Sequence, residues 1–352
     1  MTKCHNSSGF HEWLTKLGFC ATLPSNLILI YLTAFHTTKI TGTYKHMLIL
    51  FAASCILFSS LEIVARPFTH NFDASFLYFS LNDYMGLSQT FLQYALALYA
   101  AFYAMNVAFI AVQFVFRYWT LIDHRGLRLF RGTGRLVWAA YLIAVMMGYG
   151  VPILIFLPPN EFSDGYIRKD IVRYYEKDVT EFPRFSIIPY ESLANTTAKR
   201  IRWENVTWLL IAIPILAFQY LVVIYCAVQM QLNMKQKLAN FSGLNRALQI
   251  QFFRALVVQI VLPTLLYSLP AIPVLLVPLL DAKMSVQSGL VIGLFSLYPP
   301  IDSLALMLIV SEYRRSVKKM ARNFWKTQLD AARVGSEMTT QQEKSGVVSV
   351  VF

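Results

Sequence analysis

Apolar residues in this chain come in long, nearly unbroken runs, cut by short polar stretches rich in lysine and arginine. A helix rises about 1.5 Å per residue, so about 20 such residues cross a hydrocarbon layer about 30 Å thick. Seven runs are long enough, at roughly 17–36, 46–65, 88–116, 136–157, 207–230, 252–280 and 285–310. The pattern predicts an all-α membrane protein, a seven-transmembrane helix bundle over residues 17–310. Residues 1–16 precede it and 158–206 form one long connecting loop. Beyond it, Tyr313, Val317, Met320 and Phe324 recur at helical spacing among arginines and lysines. This predicts a short amphipathic helix over 311–326 lying on the membrane surface. Residues 327–352 are polar and are expected to be a disordered tail.

Charge orients the bundle. If the N-terminus lies outside, the short inner segments hold Lys39 and Lys45, the arginines between 117 and 135, and Lys235, Lys237 and Arg246. The short outer segments hold only Lys3, Lys16, Arg66 and Lys283. Basic loops stay in the cytoplasm, so the N-terminus is expected outside and the C-terminus inside. The acceptor motifs beginning at Asn6 and Asn195 fall outside in this arrangement and are candidate glycosylation sites. The N-terminus carries Glu12 and little basic charge, unlike a cleaved signal peptide, so Leu17 to Phe35 reads as a signal-anchor.

Composition agrees with a membrane protein. The chain of 352 residues is 56% hydrophobic and 14% charged, against about 25% charged in soluble domains. Its net charge of +12 belongs to the loops, and no nucleic-acid-binding signature accompanies it. The four cysteines, Cys4, Cys20, Cys55 and Cys226, have no metal-ligand spacing. The scattered histidines and the absence of a Gly-rich phosphate loop argue against an enzyme, and no cofactor is expected.

Polar residues inside apolar runs are the candidate chemistry, because a polar side chain in lipid must face the protein interior. On the third span, Tyr99, Tyr103, Asn106, Gln113 and Arg117 fall within about 40° of one helical direction, which predicts the inward face. Glu62 in the second span has Arg66 four residues on, where a helix would pair them. The sixth span carries Gln259 and Pro263, then Pro270, Pro273 and Pro278. These prolines bend it, and Gln259 could donate to a carbonyl they free. In the seventh, Pro299 and Pro300 predict a mid-helix kink, and Asp302 just beyond needs a buried donor or an ion. Gln89, Gln93, Tyr99, Tyr103, Tyr267 and Ser268 are candidates for an outer ligand pocket.

These residues together resemble a known family. Pro24, Ser25 and Asn26 lie in the first span, and Gly42, Thr43, Tyr44 and Lys45 precede the second. Arg66, Pro67 and His70 follow the second, and Phe116, Arg117, Tyr118 and Trp119 close the third. Gln259 to Pro263 with Pro270 lies in the sixth, and Tyr298 to Asp302, then Tyr313 and Arg314, mark the seventh. In this order they resemble nematode seven-transmembrane chemoreceptors of the Str class, odorant-receptor-like G-protein-coupled receptors. The resemblance implies a multi-pass receptor in the plasma membrane of a sensory neuron, at its cilium. It would bind an environmental small molecule and activate a heterotrimeric G protein, with membrane lipid around it. Arg117 and Tyr118 would sit at the inner end of the third helix. Asp302 would be the seventh-helix hinge, with Pro300, Pro263 and Gln259 in the same switch. Ser303 departs from the family, which often has proline after the aspartate. No cysteine lies in 66–90 or 158–206, so the outer disulfide of many rhodopsin-like receptors cannot form. The competing reading is a seven-helix ligand-gated ion channel or transporter; few charges lie within the spans to line an ion path.

Overall fold

The computed structural model describes residues 2–37, 42–82, 86–122, 124–192, 198–237, 243–282, 284, 289–320, 322–323 and 325. Seven helical stretches among these are long and apolar enough to cross a membrane. They are Gly9–His36, Thr43–Ala65, Gln89–Leu121, Gly134–Phe156, Trp203–Met234, Arg246–Leu279 and Val291–Ile309. Each expected run therefore has its helix. The helices themselves are α1 (Thr2–Tyr31), α2 (Thr43–Ala65), α3 (Gln89–Leu121) and α4 (Gly134–Phe156). After a short outer helix α5 (Glu161–Tyr175) come α6 (Trp203–Lys237) and α7 (Gly243–Pro263). Then follow α8 (Leu269–Leu279), α9 (Gly289–Phe295) and α10 (Tyr298–Ile309).

The helix α3 is the axis of the bundle and packs against α2, α4, α6 and α7. Its expected polar face is buried, from Tyr99 and Tyr103 through Asn106 and Gln113 to Arg117. So are Ala101, Ala108 and Val112 on other sides, because neighbours surround this helix and leave it little lipid-facing surface. Gly150 brings α4 close to it: a Cβ there would lie 2.7 Å from that of Ala101.

One end of the bundle carries a small sheet that the sequence did not announce. Strands β1 (Pro67–Phe72), β2 (Ser75–Ser80) and β3 (Arg184–Ile187) form an antiparallel sheet in that order. Side chains alternate across a strand, so the sheet has two faces. Phe68, Phe72, Leu77 and Phe79 pack outward against Ile167 and Ile171 of α5. Thr69, Phe76, Tyr78, Phe185 and Ile187 point down into the bundle. Asn160 and Ser163 cap the start of α5 reciprocally, which satisfies two end donors. Arg184 binds Asp164 through Nε at 2.9 Å and Nη2 at 2.5 Å, tying sheet to helix. A second hairpin pairs β4 (Tyr190–Ser192) with β5 (Lys199–Ile201). Among its described residues the segment 158–206 thus contains the helix α5, a short 3-10 turn at Val179–Glu181 and three strands. We call this the sheet end, and the end holding Arg117 the basic end.

The sixth and seventh spans are both broken. The helix α7 ends at Pro263 and passes through a wider π-type turn, Thr264–Ser268, into α8. The seventh span is interrupted at Ser296 and Leu297, between α9 and α10. Pro299 and Pro300 do not kink a continuous helix. They occupy the first turn of α10, where a missing N–H costs no hydrogen bond.

Candidate functional site

Beneath the sheet lies a cavity of about 80 Å³. Thr69, Phe76, Tyr78, Phe185 and Ile187 of the three strands roof it. Tyr99, Ala100 and Tyr103 of α3, Tyr149 and Ile153 of α4, and Trp208 of α6 form one side. Ala271, Val274 and Leu275 of α8, with Val291, Ile292 and Phe295 of the seventh span, form the other. No charged side chain is among the lining residues. The wall is aromatic and interlocked: Phe58 stacks on Tyr99 at 4.6 Å and meets Phe295 edge-on at 5.3 Å. The Tyr103 and Tyr220 hydroxyls both meet Ser268 Oγ, at 3.1 and 2.8 Å. The indole N–H of Trp208 is buried in the wall without an acceptor among the described residues.

The roof is buried as tightly as the bundle. His70 of β1 stacks on Phe72 at 3.8 Å between ring centroids, and its Nδ1 meets the Tyr175 hydroxyl at 2.8 Å. Burial pushes the His70 imidazole down to about 3, so it is neutral at ordinary pH.

Directly below the cavity is the break in the seventh span. Phe295 lines the cavity and the next residue, Ser296, donates to Glu62 Oε1. Thr15 of α1 donates to the same oxygen at 3.4 Å. This replaces the expected pairing of Glu62 with Arg66. The helix α2 stops at Ala65, and Arg66 turns to φ 39°. Its guanidinium then reaches Glu12 of α1 at 2.9 Å. Gly18 lets α1 touch the break: a Cβ at residue 18 would lie 2.6 Å from the Ser296 carbonyl oxygen.

Farther toward the basic end, Gln259 donates to Asp302 Oδ2 at 3.0 Å, both fully buried. Its amide serves this carboxylate, not a carbonyl freed by the prolines. The Ser303 hydroxyl donates to Asn26 Oδ1 at 2.7 Å, joining the seventh span to the first. At the basic end, Arg117 lies between the rings of Tyr44 and Phe252, 3.5 and 4.3 Å from their centroids. Its Nη1 donates to Gln249 of α7 at 2.9 Å. Tyr313 is fully buried and shares a 2.7 Å hydrogen bond with Thr33; burial pushes its phenol up. Residues 311–320 are helical, with Val317 and Met320 exposed, while Tyr313 turns into the bundle instead of toward the surface. Phe324 lies outside the described residues.

The remaining sequence candidates divide. Tyr99 and Tyr103 line the cavity, and Ser268 stands behind it. Gln89 is exposed and ties the top of α3 to the carbonyls of Thr180 and Glu181; Gln93 is half-buried and is not a lining residue. The Tyr267 side chain lies outside the description. Arg117, Gln259, Pro263, Pro300 and Asp302 are all buried in the core, and Tyr118 lies half-buried against Tyr225. Asn6 falls within α1, and Asn195 lies outside the described residues. Sequence reasoning missed the roof residues, Trp208 and the Glu62–Ser296 contact. Among the described residues no three His, Cys, Asp or Glu side chains converge as a metal site would require.

Comparison with known proteins agrees with this architecture. Residues 11–318 match the family described as "Serpentine type 7TM GPCR chemoreceptor Str". The chain is 38% identical to the G-protein coupled receptor str-33 of Caenorhabditis elegans, over 87% of this chain and 89% of that protein. It is 24% identical to the serpentine receptor class r-10 of the same nematode, over 87% and 91%. With G-protein coupled receptor str-217 it shares 22%, over 87% and 88%.

Proposed function

Because the chain belongs to the Str family of serpentine seven-transmembrane chemoreceptors, we propose that it binds an environmental small molecule beneath the sheet and activates a heterotrimeric G protein at its basic end. The observation that carries this reading is the uncharged, aromatic-walled cavity under a structured roof. Such a site takes a neutral, largely apolar guest. The Trp208 N–H favours a guest with a hydrogen-bond acceptor, since a buried donor gains most from a partner it lacks. About 80 Å³ admits only a small guest; a larger one requires the lining side chains to give way.

In this reading the sheet end faces outside and Asn6 and Asn195 are glycan acceptors. The receptor stands in the plasma membrane of a sensory neuron, at its cilium. A guest that displaces Phe295 moves Ser296 and so works against Glu62. From there α10 carries the change to Asp302 and Gln259, and α7 carries it to Gln249 and Arg117. Arg117, Tyr118, Asp302, Pro300, Pro263 and Gln259 form the switch. A ligand drives it only as far as it binds the active arrangement more tightly.

The test is surface expression in cultured cells, with a G-protein activation readout against a panel of volatile and water-soluble compounds. Arg117→Ala and Asp302→Ala should reach the surface and lose the response. A ligand-evoked current that persists without G protein would overturn the proposal in favour of a channel.

A further inference from the structure

At the basic end, a cleft of about 600 Å³ opens between α7 and α10, on the outside of the bundle. Two arginines line it, Arg254 of α7 and Arg314 from the helix that follows α10. Both are exposed, and no carboxylate is among the lining residues. Neither guanidinium has a hydrogen bond or ion pair among the described residues. This differs from Arg117, which is enclosed by two rings and bonded to Gln249. Gln251 also lines the cleft, and the rest of it is apolar: Phe253, Val257, Val258, Leu308 and Ile309, with Leu308 66% exposed.

Arg254 stands eight residues past Arg246, where the helical stretch of the sixth span begins, and at the start of the apolar run 252–280. That stretch has 34 residues, about 51 Å of helix against about 30 Å of hydrocarbon. Arg254 therefore lies near the membrane's edge, where a guanidinium can reach a lipid headgroup. Arg314 is held on the same cleft by its backbone. The helix α10 ends at Ile309, Val310 is extended, and the Ser311 N–H donates to Gln251 Oε1 of α7 at 2.8 Å. Two like charges thus stand on one cleft with no ion pair to offset them among the described residues.

We propose that this cleft binds an anionic phospholipid of the adjoining leaflet. Arg254 and Arg314 hold its phosphate oxygens, and an acyl chain lies along Val257, Val258 and Leu308. A guanidinium suits phosphate because its N–H fork matches two oxygens, and basic pockets between helices suit such headgroups. The apolar wall decides for a lipid over a soluble anion, which would leave that wall unused. The site bridges α7 and α10, the two helices that also meet through Gln259 and Asp302, so occupancy stiffens the spacing on which the switch depends. The proposal does not depend on the identity of the receptor's ligand.

The test uses the full-length receptor purified in detergent and titrated with a fluorescent phosphatidylinositol bisphosphate. Each lost guanidinium contact should weaken binding about fivefold, so Arg254→Gln with Arg314→Gln together cost about twenty-five-fold. Arg315→Gln with Lys318→Gln removes the same charge from exposed positions outside the cleft and should cost less than about threefold. Leu308→Asn should also weaken binding, and free inositol trisphosphate should compete poorly. Equal losses in the two double variants, or none in either, would overturn the proposal. So would full competition by inositol trisphosphate with no effect of Leu308→Asn, which would mean a soluble-anion site. Thermal melts of each variant verify that it is folded.

Discussion

Gly18→Ala tests the contact between α1 and the break in the seventh span. The new methyl would lie 2.6 Å from the Ser296 carbonyl oxygen and 2.8 Å from the Ser296 Cβ. A carbon and a carbonyl oxygen normally stay about 3.3 Å apart, so the backbone of one helix must retreat by roughly 0.7 Å. Overpacking against backbone costs about 1–3 kcal/mol. Alanine also favours the helix over glycine by about 1 kcal/mol, which would mask part of that cost. Gly9→Ala removes the ambiguity, since a Cβ at residue 9 of the same helix meets nothing within 4 Å. The propensity gain is common to both, so Gly18→Ala should be about 1–3 kcal/mol less stable than Gly9→Ala. For a chain of this size that is a melting difference of about 1–4 °C, read with a thiol-reactive dye on purified receptor. The displaced Ser296 should also weaken its bond to Glu62 and alter the Phe295 wall. Equal melting temperatures for the two variants would refute the close crossing.

Three further outcomes follow from the same geometry. Gln259→Ala leaves the Asp302 carboxylate buried without its donor and should cost about 1–3 kcal/mol, whereas replacing both residues with leucine should recover most of that in a thermal melt. Ala271→Phe fills the cavity and should abolish any agonist response while surface level, measured by antibody labelling, is unchanged; a normal response would place the ligand elsewhere. His70 should make the roof acid-sensitive. Its folded value of about 3 lies below the ordinary 6.5, so its stabilising effect is complete above pH 6.5 and declines as pH falls toward 3. At about 1.4 kcal/mol per pH unit, the loss by pH 5 is about 2 kcal/mol. Hydrogen exchange of the β1 and β2 amides should quicken accordingly, and His70→Phe should remove the pH dependence.

The membrane architecture was legible because lipid forbids unpaired backbone and so demands long apolar runs. The roof was not. Its strands are four to six residues long, and β2 pairs with β3 more than a hundred positions away. Such pairing leaves no local trace beyond short apolar alternation. A partial signal existed in Asn160 and Ser163, a helix cap followed by Ile167 and Ile171 one turn apart. Partners across the bundle were equally hidden: Asp302 plainly needed a donor, but nothing in the chain named Gln259 over any other amide. The Arg66 expectation failed because helical spacing was carried one residue past the end of α2. Arg254 escaped notice inside an otherwise apolar run.

The roof over the cavity is closed by hydrogen bonds and stacked rings, with no cysteine in either segment that builds it. Nothing about its closure therefore depends on the oxidation state of the surroundings. Reductants that cut an interloop disulfide should leave this sheet intact, and the chain should assemble it equally well in a reducing cell. What holds the roof down is desolvated aromatic surface, a force that weakens in the cold. The roof is thus indifferent to redox chemistry and responsive to temperature.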